Sequence, residues 1–204
     1  MKEIINKVVP VSLTVGYPET PEEFEAMFRL RTDVYKRKGY ITAESDKDEY
    51  DLNNKCIYFI AELNDMLVGS VRLVIDAPLP TELYFDFKEP EAITRIPRNK
   101  RGEISRLISV AKGMNHLVSL SLIKAIIKWA KENDFWGGYS FIKTGLEQIL
   151  SSVGVPFHPI SPATLKYDES LLHDYFYKGN AVLPIYYLRD EAAEFIRNAW
   201  RGMC

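Results

Sequence analysis

Two β-rich runs joined by a two-residue turn constrain the fold of this chain more than any other feature of its sequence. The first run, CIYFIAEL, covers residues 56–63, and the second, MLVGSVRLVID, covers residues 66–76. Asn64 and Asp65 between them favour a tight turn, so the two runs predict an antiparallel hairpin. Such a hairpin breaks the strand–helix alternation of a doubly wound parallel sheet, and the sequence therefore predicts a mixed α/β fold.

Helical and strand patterns surround the hairpin. Further strands are predicted where β-branched and aromatic residues concentrate, over residues 8–17, 103–110, 138–142 and 182–188. Helices are predicted where apolar residues recur at helical spacing, over residues 20–39, about 115–133, 145–152 and 190–201. The polar and acidic residues 42–55 predict a loop. Because no repeat or linker divides the chain, we expect one domain over residues 1–204.

The composition is that of an ordinary globular protein. The chain has 204 residues, of which 47% are hydrophobic and 26% are charged, and this length suffices to bury a sizeable core. Lysine and arginine together number 26 against 28 aspartates and glutamates, which gives a net charge of −2. That balance offers no support for nucleic-acid binding, so we expect no nucleic-acid partner.

The sequence carries no signal for export, membrane insertion or metal binding. Residues 1–7 lack the apolar segment of a secretory signal, and the longest uncharged stretch, 148–165, contains three prolines, so we expect no stable membrane insertion. The two cysteines, Cys56 and Cys204, are too few for a disulfide framework and favour a reducing cytoplasm. The three histidines show no ligand spacing, so we expect no metal site.

Three charged residues fall inside apolar strand patterns. Arg72 lies within GSVRLVI, and Glu103 and Arg106 lie within EISRLISV. Residues three apart in a regular strand point to opposite faces, so Glu103 and Arg106 share a cleft only if a β-bulge intervenes. Buried charges are costly unless paired, which predicts one cluster of Arg31, Asp48, Asp51, Arg72, Glu103 and Arg106. The spacing alone is equally compatible with a structural ion-pair network and with a catalytic site.

These charged residues belong to a pattern that resembles a known enzyme family. The pattern comprises Arg31 with Tyr35, the segment 48–51, the segment 69–73, Phe85 and the segment 103–106. In order and spacing it resembles the signature of acyl-homoserine lactone synthases, which belong to the GNAT acyltransferase superfamily. The segment VGVPFHPI at 153–160, and Leu107 after Arg106, resemble the related long-chain N-acyl amino acid synthases.

Two departures from these families bear on the substrates. The Gly39-Tyr40-Ile41 region stands where the lactone synthases have a tryptophan, which argues against S-adenosylmethionine as the acceptor. The pyrophosphate-binding loop of acetyl-CoA-using GNAT enzymes is missing from residues 109–116. This absence favours an acyl carrier protein as the donor, because its pantetheine arm ends in protein and not in an adenosine diphosphate.

The resemblance implies a GNAT-like fold and an amide-forming reaction. We expect a central mixed sheet, flanked by helices and splayed between EISRLISV and GYSFI, with the acyl-pantetheine arm in the splay. The implied reaction transfers a fatty acyl group from an acyl carrier protein thioester, or from acyl-CoA, to the amine of an amino acid or similar small amine. A lactone synthase that uses S-adenosylmethionine and a non-catalytic GNAT-fold protein that binds acyl chains or the carrier protein are the alternatives. The thioester is a co-substrate, and no cofactor is expected.

The resemblance also suggests roles for particular residues. Glu103 is the candidate base, and Arg106 is expected to orient it or to bind the acceptor's carboxylate. The expected acceptor side consists of Arg31, Tyr35, Asp48, Asp51, Arg72 and Phe85. The expected acyl-pantetheine site consists of Leu107, Ile108, Ser109, Val110 and Gly113, with backbone amides of 107–110 as oxyanion donors. Apolar residues of the long helix and of 139–157 are expected to line an acyl tunnel.

Two basic patches are candidates for docking the carrier protein. Lys124, Lys128 and Lys131 recur at helical spacing on the long predicted helix. A dense basic loop before the strand 103–110 contains Arg98 and Arg101. Either patch has the charge to attract an acidic carrier protein, although such patches also occur as ordinary solvated surface.

Overall fold

The structure is a computed structural model that describes residues 11–152, 154–166 and 172–201. The described strands are β1 (Leu13–Gly16), β2 (Cys56–Leu63), β3 (Met66–Val74), β4 (Phe85–Phe87), β5 (Arg101–Ser109), β6 (Gly137–Lys143), β7 (His158–Pro159), β8 (Ala163–Leu165) and β9 (Val182–Leu188). The described helices are α1 (Pro21–Arg37), α2 (Glu49–Leu52), α3 (Pro80–Tyr84), α4 (Glu91–Thr94), α5 (Asn115–Glu132), α6 (Thr144–Ser152), α7 (His173–Tyr177) and α8 (Arg189–Arg201).

The strands form a mixed sheet, as the sequence predicts. Within the described ranges, seven strands pair in the order β1-β2-β3-β5-β6-β9-β7, and β4 pairs with β8 in a separate ribbon. Only the β5–β6 pair in this sheet is parallel. The predicted hairpin is confirmed, because β2 and β3 pair through Leu63 and Met66 with Asn64 and Asp65 both at positive φ in the turn.

Helices cover both faces of the sheet. The apolar stripe of α5 packs on one face, where Val118, Leu122 and Ile126 contact Phe59 and Val71. On the other face, Met27 of α1 packs against alternate residues of β2. The capping box that begins α1 is present, since Thr20 accepts from the backbone of Glu23 and the Glu23 carboxylate accepts from the backbone of Thr20.

Three glycines hold β5, β6 and β9 close together at one end of the sheet. A Cβ on Gly138 would lie 1.7 Å from the carbonyl oxygen of Gly102, and one on Gly137 would lie 2.5 Å from that of Tyr187. Strands β5 and β6 pair only from Arg101 opposite Gly137 to Glu103 opposite Tyr139. Beyond these pairs the two strands separate, and this gap is the splay predicted from the sequence.

The sequence did not predict every element. Helix α2 interrupts the segment 42–55 that was predicted as a loop, because Asp48 and Asp51 form a capping box there. The short elements α3, β4, α4, β7, β8 and α7 were not predicted either. Residues 8–10 of the predicted first strand, Val153 and Cys204 lie outside the described residues. None of the described helices is long and apolar enough to span a membrane.

Candidate active site

A β-bulge in β5 forms the centre of the candidate site. Ser70 of β3 is opposite Ile108, but Arg72 is opposite Ser105, so Arg106 and Leu107 together face Val71 alone. Arg106 sits at the bulge with φ 55°, in the left-handed region that non-glycine residues seldom adopt. The bulge changes the alternation of side chains, and Glu103 and Arg106 consequently line the same cavity. The sequence predicted this arrangement on the condition that a bulge occurs.

That cavity is small and polar, with a volume of about 30 Å³. Residues of β3, β5 and α3, the segment around α7, Tyr35 of α1 and Phe141 of β6 surround it. The lining residues are Tyr35, Asp48, Arg72, Pro80, Tyr84, Glu103, Ser105, Arg106, Phe141, Leu172 and Tyr175. Carboxylates, guanidinium groups and aromatic rings therefore converge on one space, which is suited to a small charged or zwitterionic group.

Glu103 is the candidate base, and its surroundings shift its pKa strongly. Its side chain is fully buried, its Oε2 accepts a hydrogen bond of 2.7 Å from the backbone amide of Thr81, and its Oε1 has no hydrogen-bond partner among the described residues. Burial raises the pKa of Glu103 to about 8, although Thr81 and the nearby Arg72 favour the charged form. A carboxylate with this pKa is a stronger base than an ordinary one and better matched to an ammonium group.

Behind the cavity lies a buried network of arginines and aspartates. Arg31 lies 2.8 Å from Asp46 and 3.0 Å from Asp51, and all three side chains are almost completely buried. Tyr58 also donates a hydrogen bond of 2.7 Å to Asp51. Burial alone would raise the pKa of Asp51, but the guanidinium groups of Arg72 and Arg31 hold it well below its usual range.

Arg72 connects this network to the cavity. Its Nη1 lies 2.6 Å from Asp48 and 3.0 Å from Asp51, and its Nε donates to Ser105 Oγ at 2.9 Å. Asp48 in turn caps α2 by accepting from the amides of Tyr50 and Asp51. Five of the six predicted members, Arg31, Asp48, Asp51, Arg72 and Arg106, thus form one connected network, whereas Glu103 makes no ion pair with it within the described ranges.

Arg106 lies where the polar cavity meets a larger apolar one. Its guanidinium stands 5.0 Å from the ring centroid of Tyr35 and donates to Asp48 Oδ2 at 3.2 Å. Its Nε is 3.5 Å from Asp46 Oδ2 and makes no hydrogen bond within the described chain. Of the three arginines in the network, Arg106 alone lines both cavities, so its side chain can contact a ligand in either one.

The apolar cavity has a volume of about 210 Å³ and extends through the gap between β5 and β6. Roughly 10–15 Å³ holds one water molecule, so this cavity has room for a long chain. It shares Tyr35, Ser105, Arg106, Phe141 and Tyr175 with the polar cavity. Strand residues, Phe157 of the segment after α6, and apolar residues of α5, α6 and α8 complete its wall. The helical residues include Leu120, Ile123, Ile127, Leu146, Leu150, Phe195 and Ile196.

Comparison with known proteins assigns the chain to a family. The family model described as N-acyl amino acid synthase FeeM matches residues 26–142, which is more than half of the chain and includes the bulge and Glu103. The chain belongs to the FeeM family. No curated protein matched the chain in a sequence comparison.

Solved structures share the architecture of this FeeM-family chain at low sequence identity. FeeM, an N-acyl amino acid synthase from uncultured soil microbes, is 15% identical with a TM-score of 0.61, covering 91% of this chain and 94% of that one. MesI, a CoA-dependent acyl-homoserine lactone synthase, is 18% identical with a TM-score of 0.61, covering 93% and 95%. A GNAT-family acetyltransferase from Staphylococcus aureus is 15% identical with a TM-score of 0.53, covering 87% and 99%.

These comparisons confirm the predictions of fold and reaction class. The structural likenesses show the GNAT fold, and membership of the FeeM family shows an N-acyltransferase. The interpretation as a non-catalytic binding protein is not supported, because the family consists of synthases.

The predicted acceptor residues of this FeeM-family chain occupy different positions. Tyr35, Asp48 and Arg72 line the polar cavity, whereas Arg31 and Asp51 lie in the buried network behind it. The prediction that Phe85 belongs to the acceptor side is wrong. It is buried in an aromatic core cluster and lines neither cavity, and its neighbour Tyr84 contacts the cavity instead.

The predicted acyl-pantetheine residues are only partly at the cavities. Leu107 lines the apolar cavity, but Ile108 is a core residue, and Ser109 donates its hydroxyl to Asn115. The amide of Val110 donates to the carbonyl of Val68 at 2.8 Å, so it is not free to bind an oxyanion, which corrects the prediction. Gly113 lies in the turn before α5 at φ 77° and lines neither cavity.

The predicted basic loop does not present free positive charge. Arg101 is buried, donates to the carbonyl of Ile96 at 2.7 Å and pairs with Glu89, so its assignment to docking is wrong. Arg98 is exposed but lies 3.3 Å from Glu82. On α5, Lys124, Lys128 and Lys131 are all exposed, with Lys128 3.9 Å from Glu132. Docking through Arg98 or through the lysines of α5 therefore stays a prediction.

Three contributors to the site were missed by sequence reasoning. Asp46 supplies the third carboxylate of the ion-pair network, the part that the sequence prediction assigned to Glu103. Tyr175 lines both cavities from α7, a short helix that carries no periodic pattern. Lys143 at the end of β6 holds α7 in place. No group of His, Cys, Asp or Glu side chains in the described ranges is arranged to hold a metal ion.

Proposed function

We propose that this FeeM-family chain transfers a fatty acyl group from an acyl carrier protein thioester to the amine of an amino acid or a similar small amine. One observation carries the proposal. A buried carboxylate with a raised pKa, Glu103, lines a polar cavity that opens, beside Arg106, into a long apolar cavity through the splayed sheet. An amine in the first cavity and an acyl chain in the second would meet at the bulge. A cytoplasmic site of action is part of the proposal, since the cysteine content favours it.

The charges around the polar cavity support an amino acid as the acceptor. Arg31 and Arg72 are each paired with two aspartates, so they have little left to offer a ligand. Arg106 is likewise paired with two aspartates, Asp46 and Asp48, but it alone of the three lines both cavities, so it is placed to bind the acceptor's carboxylate. The acceptor's ammonium would then face Glu103. The small volume of this cavity favours a compact amine over the much larger S-adenosylmethionine.

The reaction follows from these positions. Glu103 removes one proton from the ammonium, and the free amine attacks the thioester carbonyl carbon. The nitrogen of the tetrahedral intermediate releases its second proton to solvent as the intermediate collapses and the C–S bond breaks. The thiolate receives the proton held by Glu103 and leaves as the thiol. The products are one amide and one thiol.

Backbone amides at the splay are the candidates for the oxyanion site. Because the amide of Val110 faces β3, the alternation of a strand directs the amide of Ser109 away from β3 and into the gap. The amide of Leu107, within the bulge, is the second candidate. Donors fixed in this way stabilise the charge that develops on the carbonyl oxygen.

Product analysis tests the proposal. The purified protein is incubated with one acyl group on either carrier protein or CoA, and with either single amino acids or S-adenosylmethionine. We expect an N-acyl amino acid and an equal amount of thiol, formed faster with the carrier thioester. An acyl-homoserine lactone as the main product would support the alternative enzyme class, and equal efficiency with acyl-CoA would overturn the choice of donor.

Charge reversal on α5 tests the carrier protein directly. The double variant Lys124→Glu and Lys128→Glu should raise KM for the acylated carrier protein about 10-fold, because an acidic partner is then repelled. KM for acyl-CoA should change little, and added salt should weaken only wild-type binding to the carrier. Lys38→Glu, at the exposed end of α1, is the matched control. An unchanged KM for the carrier in the double variant would rule out this docking surface.

A further inference from the structure

Lys143 is a buried lysine with an unusual set of partners. It is the last residue of β6, and its Nζ donates to the backbone carbonyls of Lys178 and Asn180 at 2.8 Å each and to that of Tyr175. Its side chain is almost fully buried, and no carboxylate among the described residues pairs with it. Its charge is balanced by carbonyl dipoles instead.

The carbonyl of Tyr175 belongs to the last turn of α7, that of Lys178 to its C-cap, and that of Asn180 to the segment just after the helix. The last carbonyls of a helix have no partner within the helix and carry partial negative charge, so a cation placed there stabilises the helix end. Helix α7 spans only His173–Tyr177, and a single turn is unstable without such contacts. The ammonium group of Lys143 is thus one of the contacts that fix α7, together with the burial of Tyr175 and Phe176 in the aromatic core cluster.

Helix α7 carries Tyr175 into the wall shared by the two cavities. The ring of Tyr175 stacks on Tyr35 with 6.4 Å between centroids and meets the edge of Phe141 at 5.9 Å. The Lys143 Nζ lies 4.8 Å from the centroid of the Tyr175 ring. Tyr35, in turn, lies beneath the guanidinium of Arg106. A chain of direct contacts thus joins Lys143 to the place where amine and thioester would meet.

We propose that Lys143 is a positioning residue for acyl transfer, which holds α7 so that Tyr175 closes the junction of the cavities against water. The inference rests on the proposed function. When the closure loosens, water competes with the amine. Its oxygen attacks the thioester carbonyl carbon, Glu103 accepts a proton, the C–S bond breaks, and a carboxylic acid and a thiol are released without amide.

The ratio of thiol to amide measures this closure. Wild type should release one thiol for each amide. Lys143→Met, which keeps the size but removes the charge, should slow amide formation about 10-fold and release thiol in excess. Lys143→Arg, which keeps the charge, should recover most of the coupling. Lys38→Met is the control for replacing an exposed lysine, and thermal unfolding monitors the fold of each variant.

A double-mutant cycle links the effect to Tyr175. Because Lys143 acts through Tyr175, the variant combining Lys143→Met with Tyr175→Ala should be no worse than Tyr175→Ala alone. A folded Lys143→Met with one thiol for each amide, or additive losses in the double variant, would overturn the inference. If Lys143→Met does not fold, the ratio of thiol to amide is measured in Tyr175→Ala instead. A ratio of one in that variant would overturn the inference. A wild type that forms no amide would instead refute the proposed function.

Discussion

At the scale of single residues, Glu103 is the candidate base, and its burial raises its pKa. With its pKa raised to about 8, most Glu103 side chains are protonated at neutral pH, and the base form becomes dominant only above pH 8. We therefore expect kcat/KM to rise with pH and to bend near pH 8. Glu103→Gln should lose this bend and keep only the slope caused by titration of the free amine. A bend that persists in Glu103→Gln would assign it to another group.

The same pKa predicts how stability changes with pH. The pKa of folded Glu103, about 8, exceeds its ordinary value of 4.5, so folding favours the protonated form. Its contribution is complete below about pH 4.5 and is lost as pH rises through 8, by about 1.4 kcal/mol for each unit of pKa difference. Denaturant unfolding at pH 5, 7 and 9 should show wild type losing stability relative to Glu103→Gln. Parallel curves for the two proteins would contradict this.

At the scale of elements, the splay depends on glycines that pin one end of β5 and β6. Alanine at position 138 would place its Cβ 1.7 Å from the Gly102 oxygen, at a backbone φ of 159°. We expect Gly138→Ala to lower the free energy of unfolding by about 3 kcal/mol or more. Gly16→Ala, where no atom lies within 4 Å of the added Cβ, is the matched control. Similar unfolding free energies for both variants would show that the close approach is not needed.

The elements differ in how well the sequence predicts them. The hairpin, α1 and α5 follow from long periodic patterns and recognisable turn and cap residues, and their predicted and observed bounds agree within a few residues. Helix α7 and the β4–β8 ribbon have three to five residues in each element, too few to show a period. They form because distant parts of the chain hold them, as Lys143 does for α7.

At the scale of the whole molecule, the sequence predicts those site residues whose charge is unusual for an apolar strand. Glu103, Arg106 and Arg72 stand out because apolar strands seldom contain charge. A β-bulge is the condition under which Glu103 and Arg106 line one cavity, and the sequence does not show whether it forms. Tyr175 and Phe85 show what the sequence does not reveal. Both are aromatic residues in apolar surroundings, and only the tertiary structure decides that one lines the cavities and the other packs in the core.

The central claim is that Glu103 acts as the base for amide formation where the two cavities meet. The most direct measurement is a single-turnover reaction at pH 8, with enzyme in excess over the acyl thioester and one amino acid, in which amide and thiol are both counted. Wild type and Glu62→Gln, a control on β2, should form amide and thiol in equal amounts at the same rate. Glu103→Gln should fold and bind both substrates, yet form amide roughly 100-fold or more slowly. Amide formation at the wild-type rate in Glu103→Gln would contradict the account.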